Sequence, residues 1–479
     1  MNALIPTNKT HPKSLINTVR QKLAAYGNLL LCPTDGASLA AFRILFGALM
    51  VFETFRYFQY DRITRYYVEP VYYFTYELFP MVSPWPEPWI YVHFVLMGLF
   101  AAGIMLGLFY RVSAYLFFLA YTYVFLLDKT QHNNHYYLII LISLLLIFVD
   151  AHKVASLDRW RKGWGQEPDS ESVPFWNIFI LRAQLVIVYF YAGVAKLNVD
   201  WLAGEPMRSW LQNRAHYPVV GSFFMTEAAP YFFAYGGMLF DLSIGFLLLW
   251  RRTRWVVIGP LLFFHLMNKW LFNIGIFPYL MIAATIIFLE SNWLRRVLRR
   301  AVPEIPRLWP SGQNFNRPWI VAFVSIYLIL QILIPLRHWL YPGDVSWTEE
   351  GHRFSWHMKL RSKSAAVIFY VTDPATNQTW EIDFSHVLND RQYDKMTSRP
   401  DMILQFAHAM RDQFEATGQV KAPIIRAEAW ASLNGRPTQQ LIDPTVDLAQ
   451  EPATLFGHYT WIIPLQERPP SVEEPLTEN

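Results

Sequence analysis

Four residues that can move protons or orient oxygen atoms stand at the ends of apolar stretches. Lys196 closes a run that begins near Phe175, whereas Asn133, Asn134 and His135 stand where a polar loop enters another run. A neutral amine can act as a base, and amide or imidazole groups can stabilise negative charge on oxygen. Each group also has an ordinary structural role, since lysine snorkels at membrane helix ends and amides cap helices. The residues alone leave both interpretations open.

The elements that must position these residues are membrane helices. The chain has 479 residues, of which 53% are hydrophobic and only 16% charged. A helix of roughly 20 apolar residues crosses a bilayer. The pattern predicts an α-helical polytopic membrane protein with about nine spans, centred in 38–58, 89–109, 112–127, 135–149, 175–196, 229–250, 254–269, 271–290 and 318–336.

Positive charge alternates between the connecting loops. Clusters such as Lys153–Lys162 and Arg251–Arg254 fall in every second loop, and the others are sparsely basic. The positive-inside rule then places the N-terminus in the cytoplasm and, with nine spans, the C-terminal region outside. Residues 128–135, Lys196 and Asn268 share that outer side. This convergence is the first indication of a common site.

Ionisable residues within the predicted spans are few and should face the bundle interior, because each is costly in lipid. Glu53 and Arg56 are spaced to pair on one helix face, and we expect Arg182 to pair with Asp241 across two helices. The aromatic loop 59–88 is predicted to form an interfacial belt, or else an apolar mouth for a lipid-soluble ligand.

The chain divides into four predicted segments. They are a cytoplasmic segment 1–37 without a signal peptide, a helical membrane domain 38–340, an exoplasmic α+β domain 341–466 and a disordered acidic tail 467–479. In the outer domain, 365–372 and 379–384 are predicted to pair as strands. Residues 400–414 are predicted to form a helix, and 424–430 a strand that leads to an Asn434-Gly435 hairpin.

Several common functional classes lack support in the sequence. The single cysteine, Cys32, excludes an intramolecular disulfide framework and a cysteine metal cluster. No zinc-protease spacing, nucleophile elbow, phosphate loop or nucleic-acid motif occurs, so we expect neither a metal nor a nucleic-acid partner. A transporter or scaffold remains an alternative, although the internal repeat typical of carriers is not visible.

Several ordered motifs resemble the vitamin K-dependent gamma-glutamyl carboxylase family. Asp128-Lys-Thr-Gln-His-Asn-Asn-His-Tyr-Tyr-Leu138 is similar to the family's DKTxxNNHxYL stretch. The likeness extends in order over most of residues 38–465, through 187–201, 236–247, 264–268, 271–277, 355–356 and 432–447.

The resemblance implies an enzyme that oxidises reduced vitamin K, a phylloquinol- or menaquinol-type hydroquinone, with O2 to the epoxide. It couples this to CO2 addition at the γ-carbon of glutamate in a peptide or protein, without a metal. It implies Lys196 as the base, with Asn134 and His135 orienting the quinone oxygens. We expect the hydroquinone to be bound also by Asn133, His132, Asn268 and His265.

The chain also departs from the family's pattern. Ala195 replaces a second lysine, His132 stands where a tryptophan is usual, and the animal enzyme's C-terminal extension has no counterpart. Quinol oxidation without peptide carboxylation is therefore an alternative function. A bacterial inner membrane with a periplasmic C-terminal domain is the expected location, with the endoplasmic reticulum membrane and a lumenal domain as the alternative. The peptide substrate, the natural quinone and the oligomeric state stay open.

Overall fold

A helical bundle carries the first two thirds of the chain. The computed structural model describes residues 21–22, 25–162, 171–272, 274–297 and 318–466. The longer helices of the bundle are α1 (Ala37–Gln59), α2 (Trp89–Leu106), α3 (Tyr110–Leu126), α4 (Asn134–Phe148), α6 (Trp176–Val194), α10 (Ala228–Leu249), α11 (Arg251–Phe272) and α14 (Pro318–Leu336). Shorter helices are α5 (Leu157–Lys162), α7 (Val199–Leu202), α8 (Met207–Gln212), α9 (Gly221–Phe224), α12 (Phe277–Ala284) and α13 (Ser291–Val297).

Each of the nine predicted spans coincides with a helical region, but the number of membrane crossings is smaller by length and apolarity. Among the described residues, six helices are long and apolar enough to cross, or seven if the bent pair Phe277–Phe288 and Ser291–Val297 is one span. The helices α3 and α4 are apolar but shorter. The count of nine is therefore not confirmed, whereas the assignment to integral membrane proteins is supported.

The interhelical loops gather at two opposite ends of the bundle. At one end, Phe109 and Tyr110 donate their backbone N–H groups to the Asp158 carboxylate at 2.8 Å each. At the same end Arg295 holds Asp35 in a two-pronged ion pair, with both contacts at 2.7 Å. The basic loops of the sequence lie at this end, and the C-terminal domain covers the other. The cytoplasmic assignment of the basic end stays a prediction.

Several charged side chains inside the bundle have partners nearby. The predicted pair is present, since Arg56 donates to Glu53 at 2.7 Å. Arg43 is fully buried and donates to the backbone carbonyls of Ile104, Met105 and Ala155. These contacts fit the rule that buried charges need partners. They give Arg43, Glu53 and Arg56 structural roles.

The C-terminal domain is a four-stranded antiparallel sheet with two main helices. The strands β3 (Lys363–Thr372), β4 (Thr379–Glu381), β5 (Ile424–Leu433) and β6 (Gln439–Gln440) are ordered β4-β3-β5-β6. Its helices are α15 (Val345–Thr348), α16 (Asp390–Thr397) and α17 (Pro400–Thr417), and β1 (Pro33–Asp35) with β2 (Ser172–Pro174) forms a separate pair in the bundle. The predicted strands and helix are confirmed. Gly418 ends α17 with a φ of 68°, and Asn434 and Gly435 turn the last hairpin with positive φ.

The loop after α1 fastens this domain to the bundle. Phe74 is fully buried in the domain core, and the Tyr72 ring lies 5.5 Å from that of Phe406. The prediction of a belt or mouth is therefore wrong for these two aromatic residues. It suits Trp85 and Trp89 better, which are 53% and 62% exposed.

The acidic and basic residues of the 128–131 segment also serve docking. Lys129 is buried and contacts Glu77 at 2.5 Å and Asp401 at 3.4 Å, and Arg353 donates to Asp401 at 2.7 Å. Burial alone would raise the pKa of Asp401, but Arg353 and Lys129 outweigh it and hold that pKa well below its usual range. A fixed interface results, with the domain seated on the loop that precedes Asn133. Residues 1–20 and 23–24 of the predicted cytoplasmic segment 1–37, and the predicted tail 467–479, lie outside the described residues.

Candidate active site

All seven sequence-predicted site residues line one cavity between the bundle and the C-terminal domain. Its volume is about 550 Å³, within the range of about 300–1,000 Å³ that is usual for small-molecule sites. The predicted residues in its wall are His132, Asn133, Asn134, His135, Lys196, His265 and Asn268. The topology thus brings together the end of α6, the start of α4 and the C-terminal half of α11.

Lys196 follows the last turn of α6 and turns back toward the helix. Its Nζ donates to the Ala192 carbonyl at 3.0 Å and to Asp241 Oδ2 at 2.7 Å, and it lies 5.4 Å from the centre of the Trp201 ring. The side chain is only 8% exposed, so snorkelling to an aqueous interface is wrong. A carboxylate, that of Asp241, shares the enclosure of the amine.

The predicted pairing of Asp241 with Arg182 is wrong because of the register between α6 and α10. These helices run antiparallel in close contact, where a Cβ on Gly193 would meet Leu242 at 2.7 Å. Arg182 stands 14 residues before Lys196, which is roughly 20 Å along a helix. Its Nε donates instead to the Ile287 carbonyl at 2.9 Å. Asp241 therefore faces the other end of α6, where Lys196 is within reach.

The wall contributed by α4 is tied to the C-terminal domain. Asn133 is the residue before the helix, but its side chain makes no capping bond and donates to the Gln131 carbonyl at 3.2 Å. Asn134 donates to the His357 carbonyl at 2.9 Å. Because a carbonyl only accepts, the amide nitrogen must face His357, which leaves Asn134 Oδ1 buried without a partner. The capping interpretation is therefore wrong for Asn133, and the free atom of Asn134 is an acceptor.

Two histidines of the wall are each held through one ring nitrogen. Tyr76 lies 3.0 Å from His132 Nδ1, and His132 Nε2 is buried without a partner. Burial, and after it the charges of Arg353 and Arg399, lowers the pKa of His132 well below its usual value. His265 Nε2 lies 2.8 Å from the Tyr189 hydroxyl inside the bundle. Both rings are thus oriented, and His132 offers a free nitrogen to the site.

One side of the cavity is apolar and opens toward the lipid-facing surface. Phe232 and Phe263 line it and are 66% and 67% exposed. Gly236 and Gly237 of α10 contribute no side chain there, and only Phe264 lies within 4 Å of a Cβ built on either glycine. We call this set of residues the apolar lane. It suits a flat or chain-like hydrophobic ligand that enters between α10 and α11.

The C-terminal domain supplies wall residues that the sequence did not indicate. Histidines and basic side chains of this domain line the cavity, namely His352, Arg353, His357, Lys359, Arg361, Lys395 and Arg399. Asp241, Tyr189 and Trp201 were also missed as parts of the site. For Asp241 the small residues Gly193 and Gly245 were a usable signal, because they set the helix register. Within the described part of the chain, no group of three His, Cys, Asp or Glu side chains is arranged to hold a metal.

The segment that follows Lys196 is clamped by the C-terminal hairpin. Arg436 donates to Asp200 through both terminal nitrogens at 2.6 and 2.7 Å, and Asn434 donates to the same carboxylate at 2.8 Å. Trp201, next in sequence, donates its indole N–H to the Ala234 carbonyl at 2.8 Å. Two motifs far apart in sequence thus meet and fix the chain beside Lys196.

Comparison with protein families assigns both parts of the chain. The family model described as HTTM domain matches residues 31–293, which is more than half of the chain. The model described as vitamin K-dependent gamma-carboxylase, lumenal domain matches residues 316–468. No solved structure matches the chain significantly. Since the two matches follow one another and meet at the cavity just described, the chain belongs to the vitamin K-dependent gamma-carboxylase family.

Proposed function

We propose that the protein oxidises reduced vitamin K with O2 to the epoxide and couples this to CO2 addition at the γ-carbon of protein glutamate. The observation that carries the proposal is the meeting of Lys196, Asn134 and His135 in one cavity with an apolar lane. A lipid-soluble quinol needs an apolar entrance and polar groups at its ring. Both requirements are met by residues of this cavity.

The residues present fit a quinol on independent grounds. Of the buried wall atoms that have no partner among the described residues, two belong to sequence-predicted site residues, namely the acceptor Asn134 Oδ1 and the ring nitrogen His132 Nε2. Buried polar atoms are normally hydrogen-bonded, so unpaired ones in a cavity wall indicate where a ligand binds. The hydroxyl groups of a quinol can donate to one and accept from the other. When bound, reduced vitamin K supplies the reaction with O2 that yields the epoxide and a base strong enough to remove a γ-proton.

Lys196 and Asp241 act together in the proton step. A carboxylate 2.7 Å from Nζ favours the ammonium through charge attraction, while burial of both groups favours the neutral pair. Transfer of one proton from Nζ to Asp241 Oδ2 leaves an amine with a free lone pair. That amine accepts the hydroxyl proton of the quinol. Asp241 is thus a positioning residue that holds Nζ and stores its proton.

The remaining wall orients oxygen atoms and excludes water. Asn134 accepts a hydrogen bond from a quinol hydroxyl at Oδ1. Its amide nitrogen already donates to His357, so Asn134 does not act as a donor to an oxyanion. Donation to developing negative charge falls to Lys196 and to the imidazoles of His132 and His135. The seated C-terminal domain covers the cavity and protects a strongly basic intermediate from water. In this proposal the domain lies on the outer side of the membrane, where a peptide can reach it.

The test uses purified full-length protein in lipid nanodiscs with reduced vitamin K, labelled bicarbonate and a glutamate-containing peptide. We expect epoxide formation and label on the peptide, both lost in Lys196→Ala while the protein stays folded. Addition of a strongly basic amine should restore part of the activity of that variant. Epoxide without label on the peptide would leave the quinol oxidase alternative. Full activity of Lys196→Ala would overturn the assignment of the base.

A further inference from the structure

The cavity wall formed by the C-terminal domain carries an excess of positive charge. Among the described residues, the charged side chains that line the cavity are six cations and one carboxylate, Asp241. Lys196 pairs with Asp241, and Arg353 pairs with Asp401 behind the wall. The other four are Lys359, Arg361, Lys395 and Arg399. We call Arg361, Lys395 and Arg399 the cationic wall.

Two carboxylates act on the cationic wall from behind, namely Glu349 and, through its charge on Arg399, Asp401, which is itself paired with Arg353. Arg361 contacts Glu349 at 2.7 Å, and the same Glu349 oxygen also lies 4.0 Å from Lys363 Nζ. Of the described residues, no carboxylate lies within 4.0 Å of Lys395 or Arg399. Within the described part of the chain, Arg399 donates to two uncharged acceptors, the Lys395 carbonyl at 2.9 Å and Ser398 Oγ at 3.4 Å. Unpaired cations in a partly buried wall indicate that an anion completes the site.

The basic groups interact across the wall. Burial, and after it the charges of Arg399, Arg391 and Arg361, lowers the pKa of Lys395 to about 8. One Arg361 nitrogen, Nη1, is buried without a partner among the described residues. Guanidinium groups bind carboxylates in a two-pronged manner, and a lysine adds a point charge. Three such donors around one space match a single carboxylate better than a neutral group.

The cationic wall is close to the proposed reacting centre. The Arg399 charge acts on both His132 and His352, and Lys196 acts on His357. His357 is bonded through its carbonyl to Asn134, and burial lowers its pKa to about 3, so its ring is neutral at physiological pH. A carboxylate held at the cationic wall therefore lies in the same cavity as Lys196 and Asn134.

We propose that Arg361, Lys395 and Arg399 bind the side-chain carboxylate of the glutamate that is to be modified. The inference rests on the proposed function for the identity of the peptide and names the residues that recognise it. The γ-carbon of glutamate is bonded directly to the carboxylate carbon. Binding of the carboxylate therefore holds the γ-carbon in the cavity. Bicarbonate shares the same chemistry and is the competing source of an anion.

Peptide binding tests the inference without relying on turnover. Full-length protein in nanodiscs is titrated with a fluorescent peptide that carries one glutamate, and with the same peptide carrying glutamine. We expect the glutamate peptide to bind at least about tenfold more tightly, as hydrogen bonds to charged groups predict. Lys395→Gln and Arg399→Gln should each reduce this preference to about twofold, and Lys395→Arg should retain it. Lys421→Gln is the matched control, because Lys421 is an exposed lysine of the same domain outside the cavity.

The outcomes separate the alternatives. An unchanged preference in both glutamine variants, or no preference in the wild type, would overturn the inference. Competition by bicarbonate, with acetate at equal ionic strength inactive, would assign the cationic wall to the carbon source instead. Epoxide formation from reduced vitamin K, measured separately, reports the proposed function. If epoxide forms but the glutamate preference is absent, the inference about the cationic wall has failed. If the preference is present but no epoxide forms, the proposed function has failed.

Discussion

Lys196 and Asp241 form a buried pair, with Nζ and Oδ2 2.7 Å apart and each side chain 8% exposed. The pair joins the end of α6 to the middle of α10, two helices whose antiparallel contact is fixed by Gly193 and Gly245. Neither residue can move far without separating these helices. The proposed base is therefore set by bundle packing, and its partner determines where its proton goes.

Asp241→Asn is expected to lower kcat for epoxide formation by about 100-fold, which corresponds to the loss of one charged hydrogen bond. The KM for reduced vitamin K should change little, because Asp241 acts through Lys196. Asp241→Glu should restore part of kcat. Steady-state kinetics and thermal unfolding of the three proteins check this. If the activity falls only in proportion to the fraction of protein that is folded, Asp241 has a structural role only.

The apolar lane makes a prediction about the quinol tail. Gly237→Leu places a side chain in the cavity where a Cβ would meet only Phe264, at 3.9 Å. We expect a higher KM for quinols with long isoprenoid tails and little change for a quinol without one. Gly259→Leu is the matched control, since Gly259 lies on α11 outside the cavity with open space around it. Equal effects on both substrates would place the tail elsewhere.

The sequence predicted the elements well because long apolar runs and alternating strands depend on local pattern. The strand pair across 373–377, the helix that begins at Pro400 and the clustering of Lys196 with Asn134 are present in the structure. The helix regions were found, but length and apolarity support six or seven crossings. The helices α3 and α4 are apolar enough to resemble membrane spans in the sequence, but they are shorter than the helices that can cross a bilayer.

Contacts between distant segments could not be predicted in the same way. Asp241 was assigned to Arg182 because both are charged residues in spans, whereas the partner depends on helix register. Phe74 was placed at a membrane interface because aromatic residues are common there, but it is a core residue of the C-terminal domain. The cationic wall was missed because its members are separated in sequence and lie among ordinary surface charges.

The pKa of Lys395 predicts a pH dependence of peptide binding. In the free protein this pKa is lowered to about 8, mainly by burial, with Arg399, Arg391 and Arg361 adding to it and Glu349 opposing it. The ammonium is therefore lost as pH rises through about 8, and affinity for the glutamate peptide should fall between about pH 7 and 10. A bound carboxylate stabilises the ammonium, so the midpoint in the complex lies higher. Lys395→Arg should flatten this dependence, as measured by peptide titration across the range.

Asp200 and Arg436 provide a prediction about domain docking. The two side chains are 9% and 10% exposed and share two hydrogen bonds, so removing either partner breaks a buried ion pair between the bundle and the C-terminal domain. Asp200→Asn and Arg436→Gln should each destabilise the folded protein by about 3 kcal/mol, and the double variant by little more. Arg251→Gln is the control, because it breaks an exposed ion pair with Glu290 and should change stability little. Thermal unfolding in nanodiscs measures the effect, and limited proteolysis reports whether the C-terminal domain detaches. Additive losses in the double variant would show that the two residues act independently.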